Sequence, residues 1–253
     1  MYRFLLTPRW IVRHVIVLVV LGLFCLAGFW QIHRLHERQA YNAHVRREMA
    51  KPAVDLDRRT TVEPYRRITA SGRYDVANEV LLRSRVLNDN SGNDLLTPLR
   101  LSDGQAVLVD RGWVPIEVTR PLDRRTAPPA GTVSVRGIVL PAERKRLFSP
   151  DIPRSGRVSA INYINVSRVG KQLPYPLVAN YVLLERQRPA NKLPTYEAPP
   201  ELTEGPHRAY AVQWFLFMAV GIVGYTAFVR REVKRNPHKR KDPPVVPTGP
   251  FDR

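Results

Sequence analysis

The sequence predicts an α+β membrane protein: a two-helix transmembrane hairpin carrying a β-rich extracytoplasmic domain, a small antiparallel barrel or sandwich. Two observations predict the hairpin. Residues 15–32 form a run of 18 without a charge, and residues 209–229 a run of 21. At 1.5 Å per residue these reach roughly 27 and 32 Å, enough for a hydrocarbon core of ~30 Å. Neither run has the polar stripe that a soluble core helix would show. A third observation predicts the domain: short alternating runs, separated by turn signals, fill the chain between the two spans. Whole-chain averages hide this division. With 253 residues and a net charge of +18, the composition first suggests a soluble polyanion binder.

The elements follow in order. Residues 1–13 read as a cytoplasmic N-terminus, 14–34 as the first transmembrane helix and 35–206 as the extracytoplasmic domain. Residues 207–229 read as the second transmembrane helix and 230–253 as a basic, Pro-rich cytoplasmic tail. The flank with Arg3, Arg9 and Arg13 also fits a cleaved signal sequence, but the apolar run exceeds the usual length of ~7–15 residues. Basic residues before the first span and Arg230, Arg231, Lys234 and Arg235 after the second place both termini in the cytoplasm. No Arg/Ser-rich transit segment precedes the first span, so a bacterial plasma membrane is expected. The tail beyond Asn236 cannot bury a core and reads as a disordered anchor drawn to anionic lipid, with no need of nucleic acid.

Within the domain, strands are expected at residues 68–74, 79–86, 95–101, 105–109, 133–139 and 181–184. Asn90-Ser91-Gly92-Asn93, Ser102-Asp103-Gly104 and Pro128-Pro129-Ala130-Gly131 read as turns, the second as a hairpin. Gly72 and Gly137 sit inside strands, as glycines at bulges or tight bends do. Helical periodicity appears at 31–50 and 164–173. Residues 188–206 contain five prolines and read as an extended linker.

Enzyme motifs are absent: the sequence has no P-loop, GxGxxG, HExxH or GxSxG. The one cysteine, Cys25, lies in a span, so the domain must hold without disulfides. No enzyme and no metal site are expected. In Leu108-Val109-Asp110-Arg111-Gly112-Trp113, Asp110 and Arg111 point to opposite faces of a strand. Each therefore needs another partner if buried. His33 and His36 share a helix face at the end of the first span, and His207 opens the second, so all three approach one membrane boundary. Trp30, Tyr210 and Trp214 lie near that level. Imidazole there is either a metal or haem ligand or part of an interfacial aromatic belt. Gln213, an amide inside the second span, is expected to bond another helix.

The same residues carry a resemblance. Gly28-Phe29-Trp30-Gln31-Ile32-His33-Arg34-Leu35 resembles the end of the first span in the surfeit-locus family of cytochrome c oxidase assembly factors. The run from Tyr65 through Gly72 to Asp75 resembles that family's first external strand. Leu95-Leu96-Thr97-Pro98-Leu99, Asp103-Gly104 and Val109-Asp110-Arg111-Gly112-Trp113-Val114-Pro115 resemble its most diagnostic block. Gly205-Pro206-His207-Arg208-Ala209-Tyr210, followed by Gln213-Trp214, resembles the opening of its second span. The resemblance implies an assembly factor for aa3-type oxidase that assists haem a insertion into the catalytic subunit without turnover. It implies transient haem a binding at His207, with Tyr210, Trp214 and His33 around it. Trp30, Gln31, Arg34, Asp110, Arg111, Gly112, Trp113 and Gln213 would serve structure or partner contact. The chain reads His36-Glu37-Arg38 where the family continues with an aromatic and a Lys, which removes support for His36. The implied partners are the oxidase subunits and the bilayer. The alternative is a structural accessory subunit, stably bound to the oxidase or a supercomplex, that binds no haem. An unrelated membrane-tethered enzyme would need a metal or substrate site converging in the β domain. The charge divides as +3 before the first span, +10 over residues 34–208 (29 Lys+Arg against 19 Asp+Glu) and +5 beyond.

Overall fold

The computed structural model describes residues 3–56, 62–119, 121, 123–145, 147, 149–153 and 155–235. The tail expected to be a disordered anchor lies outside the described residues. The helices are α1 (Pro8–Ala50), α2 (Val166–Gly170) and α3 (His207–Arg235). The strands are β1 (Val54–Asp55), β2 (Arg67–Tyr74), β3 (Val80–Leu87), β4 (Asn90–Leu101), β5 (Ala106–Pro115), β6 (Val133–Leu140), β7 (Ala160–Ile161) and β8 (Leu177–Arg188). The chain divides into two compact units, Met1–Tyr41 with Thr203–Arg253, and Asn42–Leu202.

The first unit is the helical hairpin. Both α1 and α3 are long and apolar enough to cross a membrane. Leu18, Leu26, Val212 and Val223 stand exposed on them, as lipid-facing side chains do. Contact between the helices relies on close approach and aromatic rings. Gly28 lies against the Phe215 ring, and a Cβ there would come within 2.7 Å of it. Phe24 packs at 5.7 Å from Trp214 and 6.0 Å from Phe217, ring centre to ring centre. Farther along, Trp10, His14, Tyr225 and Phe228 cluster, with Tyr225 Oη 2.5 Å from His14 Nδ1. Small residues and interhelical hydrogen bonds are what hold helices together where burial alone offers no drive.

The second unit is one eight-stranded mixed sheet, in the order β1-β2-β6-β8-β5-β4-β3-β7. This corrects the antiparallel barrel or sandwich expected from the sequence. The pairs β1–β2, β3–β7 and β5–β8 are parallel. Alternation of side chains reports which faces are covered, not strand direction, so the mixture was invisible in the pattern. The sheet is not a closed barrel; β1 and β7 remain its edges. It is strongly coiled, because Gly72–Tyr74 of β2 pair with Leu99–Leu101 of β4 as well as with β6.

Gly72 is where that double pairing becomes possible. A Cβ there would collide with the Arg100 carbonyl. Gly137 lies at a register shift between β6 and β8, where a Cβ would strike the Leu183 carbonyl. Both glycines thus play the bend-and-bulge role expected of them. The central strands are buried on both faces. Leu108, Ile138, Tyr181 and Leu183 enter one apolar cluster, while Val107, Val109, Val139 and Val182 enter another. This two-sided burial explains the near-continuous apolar runs of β5 and β8.

Turn chemistry shifts one boundary. Asn90-Ser91-Gly92-Asn93, expected as a turn, opens β4. The turn is Asn88-Asp89, both with positive φ (49° and 62°), closed by the Leu87–Asn90 pair. Asn and Asp are the non-glycine residues that best tolerate this region. The Asp103-Gly104 hairpin forms as expected, with the Gln105 N–H bonded to Asp103 Oδ1 at 2.9 Å. The helix expected at 164–173 is the short α2, whose N-cap Asn165 accepts from the Arg168 N–H at 2.9 Å.

Candidate functional site

The conspicuous polar contact where α3 begins is between His207 and Gln31. His207 Nδ1 lies 2.9 Å from Gln31 Oε1. Gln31 is only 8% exposed although Trp30 beside it is open. Helix geometry explains this. Gly28 and Gln31 are three residues apart and share the face toward α3, while Trp30 points away. Trp30 is 57% exposed. Arg34 and His33 both pair with Glu37, at 2.7 and 3.2 Å. The Gly28–Leu35 motif therefore has two faces, one interhelical and one open.

The segment entering α3 is pinned from the same helix. Arg38 Nε donates to the Thr203 carbonyl, and Gln39 Nε2 donates to Glu204 Oε1, both at 3.1 Å. Gly205 takes φ +68°, and a Cβ there would stand 3.6 Å from His207 Cδ2 and 3.7 Å from Nε2. The Nε2 edge of the imidazole therefore faces a residue with no side chain. Among the described residues the partner recorded for the ring is Gln31, through Nδ1.

The other residues read from the sequence fall into place unevenly. Tyr210 is half exposed, one turn beyond His207. Trp214 packs on Phe24 and Phe217, away from the imidazole. His33 is engaged by Glu37, and His36 is exposed. Gln213 is exposed, so the amide bonded across the helices is Gln31 and not Gln213. The His14–Tyr225 contact was not singled out in the sequence. Its signal was present: an ionisable ring next to an apolar span.

The sheet unit holds two buried charge networks on opposite faces of β5. Arg111 is fully buried and donates to Glu79 Oε2 at 2.9 Å and to the Thr126 carbonyl at 2.7 Å. Its guanidinium sits 5.3 Å from the Tyr74 ring centre, and Tyr74 Oη donates to Gln187 Oε1 at 2.9 Å. Thr97 Oγ1 donates to Glu79 Oε2 at 2.7 Å. On the other face, one oxygen each of Asp94, Asp110 and Glu197 lie within 4.8 Å of one another. Arg85 Nε stands 3.1 Å from Asp94 Oδ2, and Asp110 Oδ1 accepts the Gly112 N–H at 3.0 Å. Burial, then the charge of Asp110, pushes the Asp94 carboxyl up to about 9. Burial, then Glu197, pushes Asp110 up to about 7. Burial thus favours the protonated form of the Asp94 carboxyl.

Glu197 belongs to the stretch read as a linker. That stretch is fixed where it crosses β5: Trp113 and Thr195 exchange both backbone hydrogen bonds, at 2.9 and 2.8 Å. Gly112, at φ +110°, lets Thr195 approach; a Cβ there would collide with its carbonyl. Asp110, Arg111, Gly112 and Trp113 thus anchor the return segment and both charge networks.

The SURF1 family model matches residues 18–219 of this chain. The chain belongs to the SURF1 family. Relatives agree over most of its length. A SURF1-like protein of Mycobacterium tuberculosis is 26% identical over 250 residues, 95% of this chain and 91% of the relative. One of Rickettsia bellii is 24% identical over 222 residues, 85% and 89% respectively. A Caenorhabditis briggsae SURF1-like protein is 27% identical over 168 residues, about half of each chain. The surfeit-locus resemblance read from the four motifs is this family. Membership supports a general role in oxidase assembly for a membrane protein.

Proposed function

We propose that this SURF1-family chain assists the insertion of haem a into the catalytic subunit of an aa3-type cytochrome c oxidase. In this reading it is a chaperone without catalytic turnover. Its partners are the oxidase subunits, chiefly the haem-bearing one, and the lipid bilayer. It sits in a bacterial plasma membrane with both termini cytoplasmic and the sheet unit extracytoplasmic. Arg9 and Arg13 before the first apolar run, and Arg230, Arg231, Lys234 and Arg235 after the second, support that orientation.

One observation carries the reading: His207 opens α3 with Nδ1 engaged by Gln31 and its Nε2 edge against bare Gly205. An imidazole held this way could ligate haem iron. When bound, haem a supplies the iron that the imidazole ligates. The chain's part is to keep an apolar macrocycle at the membrane, and exposed Tyr210 with the apolar start of α3 suits that.

The test is gentle isolation of the full chain from membranes, followed by a haem spectrum and identification of what copurifies. The wild type is expected to carry haem, and His207→Ala to lose the spectrum. Unchanged haem binding in His207→Ala overturns the ligand assignment. A haem-free chain in fixed stoichiometry with mature oxidase would establish the accessory-subunit reading instead.

A further inference from the structure

We propose that Gln31 is the positioning residue for His207: its amide oxygen fixes the imidazole tautomer and so presents Nε2 to a ligand. The inference deepens the haem reading and rests on it for the identity of that ligand.

The chemistry follows from the atoms in contact. A neutral imidazole carries its hydrogen on one nitrogen and a lone pair on the other. Gln31 Oε1 can only accept, so at 2.9 Å the shared hydrogen belongs to Nδ1. Nε2 is then the nitrogen with the free lone pair. Histidines that ligate metals usually donate their second nitrogen to such an acceptor, which fixes ring orientation and raises basicity. The isolated ring in water favours hydrogen on Nε2, so the protein must supply the reversal.

The surroundings suit a fixed donor. Gln31 is 8% exposed, and a desolvated amide left without a partner would be costly, which gives the contact its persistence. Gly28, one turn earlier on the same face, admits the Phe215 ring and brings the helices close. Arg38 and Gln39 hold Thr203 and Glu204, so the backbone entering His207 is fixed from α1 as well. Gly205 presents no side chain of its own to the Nε2 edge. The buried glutamine of the first-span motif and the histidine of the second-span motif are thereby one unit, 176 positions apart.

The experiment is nitrogen NMR of the full chain in lipid nanodiscs, with 15N-labelled histidine and His207 assigned by its loss in His207→Gln. Above the imidazole titration, wild type is expected to show His207 protonated on Nδ1. Gln31→Leu is expected to move the hydrogen to Nε2, and Gln31→Glu, which keeps size and acceptor, to retain it on Nδ1. A haem a titration of the same samples is expected to show affinity weakened by roughly 10–100-fold in Gln31→Leu. Gln31→Glu is expected to bind and to lower the midpoint potential of the bound haem, because a carboxylate makes the ligand more basic. Hydrogen on Nε2 in the wild type, or a tautomer unmoved in Gln31→Leu, overturns the inference. An Nδ1–H ring in a wild type that takes up no haem a supports the role of Gln31 and overturns the haem reading alone.

Discussion

Asp110 and Arg111 are consecutive residues of β5, both buried, and their surroundings answer burial in opposite ways. Arg111 meets Glu79, a carbonyl and an aromatic face, so charge is matched and the donors NH1 and NH2 are used. Asp110 meets two more carboxyls and shares Arg85 with Asp94 and Glu143. The first side balances charge with charge. On the second, burial moves the pKa of Asp94 and Asp110 upward and so favours their protonated forms. A buried group can thus be made tolerable either by a partner or by loss of its charge, and the two solutions respond differently to mutation and to pH.

The largest expected effect breaks the matched side. Arg111→Met leaves Glu79 buried without its cation and should destabilise the chain by about 3–5 kcal/mol, read by chemical unfolding in detergent. Adding Glu79→Met should restore most of that loss; a double variant as unstable as the single would show that the pair is not the cause. The next effect sharpens the acid side. Asp94 and Asp110 have folded pKa values above the ordinary carboxylate range. Their contribution is therefore fully present only below the ordinary carboxylate pKa of about 4, and it is lost progressively as pH rises from there to about 7 for Asp110 and about 9 for Asp94. Asp94→Asn should lie nearest the wild type below about pH 4 and gain on it progressively up to about pH 9, by several kcal/mol in all. A wild-type profile that climbs with pH over this range would contradict the protonated cluster. The smallest effect separates two contributions on the Arg111 side. Tyr74→Phe keeps the ring under the guanidinium but removes the bond to Gln187, and should cost about 1 kcal/mol.

Much of this was legible in the sequence, and the exceptions share a cause. Strand alternation placed Asp110 and Arg111 on opposite faces, and composition located both apolar helices. Glycines at 72 and 137 announced the bend and the register shift. What local pattern could not supply was pairing at a distance. Nothing near Arg111 names Glu79, and Glu197 sat in a proline-rich stretch that reads as tether. Parallel pairing of β5 with β8 escaped for the same reason. At the hairpin, Gln31 was visible only as part of a motif, and Gln213 was the amide expected to bond across the helices. Helix phase decides between them, because Gln31 shares its face with Gly28 and Gln213 faces outward.

The crossing of Trp113 and Thr195 bears on how the chain after β8 behaves in time. A tether is as long as the stretch beyond its last fixed point, and here that point lies well past the end of the strand. The amide hydrogens of Trp113 and Thr195 sit in one two-way pair, so they exchange with solvent together or not at all. The proline-rich stretch up to Thr195 therefore keeps the clock of the sheet rather than that of a loose strap.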